Sequence, residues 1–168
     1  MATDKQKKLF EKNITLLKEE VENWHKEAEK NGYTIDNVRE IGITSAMGQR
    51  VINIDAENLS CDISFPIRDW QVNPYGICHG GMIATALDNA LGGVAKWANL
   101  NNIVTTLNMN INYLKAVHNH ENLIVKVRCI SWGKVVMTLV GEAYEESTGI
   151  LTNTTSATYR ILPEDINL

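Results

Sequence analysis

The chain predicts an α+β fold in which an antiparallel β-sheet wraps around one long buried helix. Three observations predict it. From about Gly80 to Ala98, the residues Met82, Ile83, Ala86, Leu87, Ala90, Leu91 and Val94 are apolar over much of a helix circumference, the pattern of a helix without a solvent face. Before and after it, apolar residues recur with the period of two that marks a strand with one buried face. The order is therefore β, one helix, then β, and turn residues at 131–134 and 147–149 join the last three strands into an antiparallel meander.

At the N-terminus, Phe10, Ile14, Leu17, Val21, Trp24 and Ala28 are spaced four, three, four, three and four residues apart, which predicts one amphipathic helix from Asp4 to about Lys30. It spans only about three heptads, the lower limit for a coiled coil, so docking on its own domain or on a sister subunit is the favoured reading. Asn31-Gly32 ends it. Candidate strands follow near 38–47, 50–55 and 59–67, the last with Leu59, Cys61, Ile63, Phe65 and Ile67 alternating. After the long helix, 103–113 alternates with Ile103, Thr105, Leu107, Met109, Ile111 and Tyr113 on one face and Val104, Thr106 and three asparagines on the other. Strands at 123–130, 135–144 and 150–161 complete the set. We expect two units, a helical extension over 1–32 and the β-rich domain over 33–168.

The net charge of −4, with no basic block, excludes a nucleic-acid groove and an anionic membrane patch. No stretch approaches the roughly 20 apolar residues of a membrane span. The first residues lack the apolar core of a secretory signal, and Cys61, Cys78 and Cys129 are odd in number without C-x-x-C spacing, so a cytoplasmic location is expected.

Residues 73–88, N-P-Y-G-I-C-H-G-G-M-I-A-T-A-L-D, carry the chemistry. Unpaired N–H groups at a helix start sit at the positive end of its dipole and can hold a developing oxyanion. Gly80 and Gly81 have no side chain to obstruct an approaching carbonyl. Asp88 lies on the apolar helix, where an ionised side chain is costly. Its neighbours at helical spacing, Gly81, Ala84, Thr85, Gly92 and Ala95, are small and leave space around the carboxylate, which favours a functional role over a structural one. Gly92-Gly93 further suggests close approach by another backbone or by a ligand.

The pattern N-x-x-G-x-x-H-G-G followed by L-D resembles the hot-dog-fold acyl-CoA thioesterases of the phenylacetate-pathway and thioesterase-superfamily-member type. Asn73, Gly76, His79, Gly80, Gly81 and Asp88 carry the resemblance in register; a weaker match covers 105–115, and strand order extends it over about 36–162. It implies the hot-dog arrangement, a site built across a subunit interface, Asn73 within that site, and a hydroxyl residue near the attacking water at Thr106. For Asn73 an Asx turn is the alternative role, and for His79 the choice lies between a general base and a ring that holds the loop entering the helix.

Gly80 and Gly81 precede Asp88 by eight and seven residues, about 10 to 12 Å along a helix axis. One thioester carbonyl cannot reach both on one helix, so a homodimer, or a tetramer built from it, is expected to pair each glycine start with the partner's aspartate. Other chemistries lack support: there is no G-x-S-x-G elbow and no phosphate loop, and His118-Asn119-His120 has no accompanying ligand set, so no metal is expected. Cys78 beside His79 reads as an apolar filler.

The expected activity is hydrolysis of an acyl-CoA to free acid and CoA, with Asp88 as general base or nucleophile. CoA is part of the substrate and no other cofactor is expected. Arg128 and Lys134 are candidate phosphate contacts. A hot-dog dehydratase or hydratase, and a non-catalytic acyl-CoA-binding module, are the alternatives.

Overall fold

The computed structural model describes residues 2–31, 38–99 and 102–163. Helix α1 spans Asp4–Asn31 and α2 spans Val38–Ala46; strands β1 (Arg50–Asp55) and β2 (Ser60–Pro66) precede the central helix α3 (Gly80–Ala98). Strands β3 (Val104–Tyr113), β4 (Asn122–Trp132), β5 (Val136–Glu145) and β6 (Leu151–Ile161) follow. All six strands form one antiparallel sheet in the order β1-β2-β4-β5-β6-β3. This is the expected α+β arrangement, a hot-dog sheet curved around α3.

Helix α3 is buried along its apolar face, where Ala86, Leu87, Ala90, Leu91, Val94, Ala95 and Ala98 have no exposed surface, while Thr85, Asp88, Asn89, Gly92, Gly93 and Lys96 form a half-buried stripe. Against them the sheet packs Ile63, Phe65, Leu123, Val125, Met137 and Leu139, the inward members of alternating strands. Where β5 passes over the helix, a Cβ on Gly141 would stand 3.0 Å from the Leu91 side chain and 2.9 Å from Thr155, so glycine sets how close the layers come.

The α1 stripe docks on its own chain, against α3 and β1. Phe10, Ile14, Leu17 and Val21 are at most 2% exposed, and the Phe10 ring meets Trp132 edge-on at 6.5 Å. Asn13 donates from Nδ2 to the Ala98 carbonyl at the end of α3 (3.3 Å). The expected boundary at 32/33 and the Asn31-Gly32 stop lie on or beside residues outside those described, as does the side chain of Ala28.

Two expectations are corrected. The segment 38–47 is not a strand; it forms α2, split by Gly42 at φ 76° and ψ 156°. Its β-branched residues, Val38, Ile41, Ile43 and Thr44, favour a strand by composition, whereas the segment forms a short helix at whose end Ala46 and Met47 are completely buried. The second correction concerns β3. A bulge between Thr106 and Asn108, where β3 pairs with β6, breaks the strict period of two. Val104 and Thr106 therefore face α3 before it, and Met109, Ile111 and Tyr113 turn towards the body of the protein after it.

Candidate functional site

The loop entering α3 is a tight reversal. Val72 bridges Cys78, the Asn73 N–H donates to the Ile77 carbonyl (2.8 Å), and Gly76 takes φ 76°, a conformation that favours glycine. Asn73 Oδ1 accepts from the N–H groups of Tyr75 (2.9 Å) and Ile77 (3.4 Å). Its side chain is thus engaged in an Asx turn. His79 is the N-cap of α3, its Nδ1 accepting from the Gly81 N–H at 3.0 Å. The Gly80 N–H, at the same positive helix end, meets no acceptor among the described residues. Tyr113 donates to the Gly80 carbonyl (3.0 Å) and pins the helix start to the far end of β3.

Two turns further in, Asp88 is half-buried and held through one oxygen. Thr106 Oγ1 and Tyr159 OH each donate to Oδ1 at 3.0 Å. No described donor reaches Oδ2, so that oxygen is open to a ligand. Tyr159 is 1% exposed, and burial, followed by the charge of Asp88, raises its pKa, which keeps it a protonated donor. Gly92 admits the Tyr159 ring, 3.3 Å from where a Cβ would stand, while a Cβ on Gly93 would meet nothing within 4 Å.

That open space belongs to a cavity of about 490 Å³ lined by Asp88, Thr106 and Tyr159 together with residues of α1, α2 and the second half of α3. Trp24 and Leu17 bring the N-terminal helix into its wall. Gly80 and Gly81 are not among its lining residues, in keeping with the separation expected along one helix. Arg128 and Lys134 line other depressions on the surface. Tyr159, Gln49 and Trp24 were not anticipated from the sequence, since each reaches the site from an element remote in the chain.

Other groups are accounted for structurally. The three cysteines are free and buried, and burial pushes their thiols up, to about 12 for Cys61 and about 11 for Cys78 and Cys129, which removes Cys78 as a nucleophile. His118 Nδ1 lies 2.7 Å from Glu145 Oε1. Burial acts to raise the Glu145 carboxyl, but hydrogen bonds from the His118 ring and backbone and from Thr148 outweigh it and hold the pKa low. Among the described residues no cluster of three His, Cys, Asp or Glu could hold a metal, and no helix is long and apolar enough to cross a membrane.

Residues 75–152, which carry Gly80, Gly81, Asp88 and Thr106, match the family model described as the Thioesterase superfamily. Among solved structures, a putative thioesterase from Ralstonia eutropha, described as phenylacetic acid degradation-related, is 25% identical with a TM-score of 0.65, covering 77% of this chain and all of that one. A hypothetical thioesterase from Streptococcus pneumoniae, solved with coenzyme A, is 22% identical (TM-score 0.60; 68% of this chain, 85% of that). Zebrafish thioesterase superfamily member 2 is 16% identical (TM-score 0.62; 72% and 86%). No curated protein sequence matches the chain. The sheet curved around α3 is thus the fold of these solved thioesterases, and the segment that carries Asp88 is similar to the Thioesterase superfamily.

Proposed function

We propose that the protein hydrolyses acyl-CoA thioesters in composite sites, each pairing the α3 start of one protomer with Asp88 of another. The observation that carries this is Asp88 itself, a carboxylate held in a cavity wall by Thr106 and Tyr159 through Oδ1, with Oδ2 open. Oδ2 takes the proton of the attacking water, or attacks the carbonyl carbon directly and leaves an acyl anhydride for water to open. The Gly80 N–H receives the developing oxyanion. The Gly81 N–H, capped by His79, fixes the turn and is released to the substrate only if the ring swings aside. Asn73 acts through the same turn. Collapse of the tetrahedral intermediate expels the CoA thiolate.

Coenzyme A as the carrier draws support from the pneumococcal relative. In one protomer Arg128 and Lys134 lie outside the Asp88 cavity, so as phosphate contacts they serve a CoA that extends across the subunit boundary. The edge position of β3, with Leu107 57% and Tyr113 53% exposed, supports pairing of two chains along that strand. A dehydratase or hydratase needs a second acid or base at the acyl β-carbon. Among the described residues the cavity wall of one protomer offers no histidine and no second carboxylate, and the His79 that the partner's α3 start would bring is engaged as the N-cap of that helix.

A thiol-release assay over a panel of acyl-CoAs tests the reading. Turnover of at least one thioester to free acid and CoA is expected. Hydration or dehydration of enoyl or hydroxyacyl substrates without thiol release, or binding without any turnover, would overturn it.

A further inference from the structure

Glu145, the last residue of β5, carries a carboxylate that no step of the proposed hydrolysis uses, and it is only 4% exposed. An ionised group taken out of water is costly unless it is paired and hydrogen-bonded. Three donors meet this one: the His118 N–H (3.2 Å) and ring Nδ1 (2.7 Å) at Oε1, and Thr148 Oγ1 at Oε2 (3.0 Å). A carboxylate only accepts, so Nδ1 carries the proton in this contact. The His118 side chain is itself largely exposed, and an apolar residue would close the end of β5 at less cost. What the carboxylate adds is direction, because two of its three hydrogen bonds fix one residue of the loop between β3 and β4.

That residue stands where the loop meets the chain entering α3. Ile77 bridges His118, and the Cys78 N–H donates to the Val117 carbonyl (2.8 Å). Gly80, whose N–H is the proposed oxyanion donor, follows two residues later. The same loop leaves β3 at Tyr113, which donates to the Gly80 carbonyl (3.0 Å). The start of α3 is thus held from two sides by one connection. Its Tyr113 side is anchored in the sheet by pairing with Asn153 on β6. On the other side the His120 N–H donates to the Ile67 carbonyl (3.1 Å), which ties the loop to the end of β2, while the His118 N–H has Glu145 as its acceptor.

We propose that Glu145 is a positioning residue for the oxyanion site: by holding the backbone and ring of His118 it sets where the segment from Ile77 to Gly80, and with it the Gly80 N–H, meets the substrate carbonyl. The inference rests on the thioesterase reading, because it takes that N–H as the oxyanion donor. A misplacement of about 1 Å at such a site costs on the order of 10²-fold in rate.

The experiment compares the wild type with Glu145→Ala, Glu145→Gln and His118→Ala. Glu145→Ala removes the anchor. Glu145→Gln keeps it, since Oε1 still accepts from both His118 groups and the amide nitrogen can donate to Thr148 Oγ1. His118→Ala, at an exposed side chain, deletes the ring contact and leaves the backbone one. Steady-state kinetics gives kcat and KM for the best-hydrolysed acyl-CoA of the panel. Amide hydrogen exchange by NMR is followed at Cys78, with His79 as control because its N–H donates instead to the Gln71 carbonyl (2.8 Å). Glu145→Ala should lower kcat by about tenfold or more with KM within about twofold, the mark of an interaction realised in the transition state, and should speed exchange at Cys78 more than at His79. Glu145→Gln should restore both. His118→Ala should fall between them at the wild-type melting temperature, which keeps the test decisive if Glu145→Ala does not fold. Wild-type kcat in either alanine variant, a loss that Glu145→Gln shares in full, or unchanged exchange at Cys78 would overturn the assignment. If no acyl-CoA is hydrolysed, the thioesterase reading fails by itself, while exchange at Cys78 still decides whether Glu145 positions the start of α3.

Discussion

Asp88 sits where the sequence alone would place an aliphatic residue, and the structure shows what offsets that cost: two hydroxyls on one carboxylate oxygen, from β3 and β6. Asp88→Asn retains an acceptor for both, so it should keep the fold and its melting temperature. On the proposed mechanism it removes the acid/base or nucleophilic oxygen, and kcat should fall by about 10² to 10⁴-fold. Steady-state kinetics checks this, and near wild-type turnover would remove Asp88 from the chemistry. Tyr159→Phe keeps the ring that packs against Gly92 and deletes one donor to the carboxylate. A hydrogen bond to a charged group is worth roughly 1.5 to 3 kcal/mol. We therefore expect kcat to drop by at least about tenfold with KM little changed, whereas a loss confined to thermal stability would make Tyr159 a packing residue only. The two residues differ in how far they could be read in advance. Asp88, His79 and the glycines lie within one short segment whose spacing is itself the signal. Tyr159 is 71 residues from Asp88, one of several inward side chains on the last strand, and only strand order brings it there.

At the scale of elements, the long and strongly periodic ones were legible: α1, α3, β2 and the β4-β5-β6 meander follow from patterns repeated over many residues. The misread elements are short or broken. Helix α2 has nine residues with a kink at Gly42, too few for a helical period to emerge over its β-branched composition. In β3 the bulge changes the inward face midway, and that phase change places Thr106 on Asp88 and Tyr113 on Gly80. The docking of α1 carries a pH consequence. Buried His25 on α1 lies 2.5 Å from the Gln49 carbonyl through Nε2, tying the helix to the segment that enters β1. Burial lowers its pKa from the ordinary 6.5; the Gln49 hydrogen bond opposes that, nearby Arg50 and Arg68 reinforce it, and Glu22 works against it. The unfolded chain thus binds more protons than the folded one below about pH 6.5, so this contribution to stability is full above that pH and is lost as pH falls towards the lowered folded value. Melting temperatures measured between pH 8 and pH 5 should fall on the acid side, and His25→Gln, which does not titrate, should flatten that part of the profile. An unchanged slope in the variant would assign the acid sensitivity to other groups.

For the whole molecule, the separation of the two halves of the site decides how many chains a working enzyme needs. Hydrogen bonds join α3 to β3 at Gly80 with Tyr113 and at Asp88 with Thr106, and the eight-residue step from Gly80 to Asp88 spans about 12 Å of helix. A carbonyl carbon must approach its attacking group to about 3 Å while its oxygen rests on the glycine N–H, and one helix cannot offer both. In the proposed twofold pairing, with the helices antiparallel, each start would lie near the other chain's aspartate. Gly81→Val should disable the start, because a Cβ there already stands 3.3 Å from His79 Nδ1 and the branched methyls would press on the capping ring. Chains bearing Asp88→Asn and chains bearing Gly81→Val, each inactive alone, should then regain activity when refolded together. One of the two sites in a mixed dimer inherits both defects and the other inherits neither, so a statistical mixture, half of it mixed dimers, should recover about a quarter of the wild-type activity. Sedimentation and differential tagging establish that mixed dimers have formed. If verified mixed dimers stay inactive, or a sedimenting monomer turns over at the full rate, both halves of the site belong to one chain and the helix-rise argument is wrong.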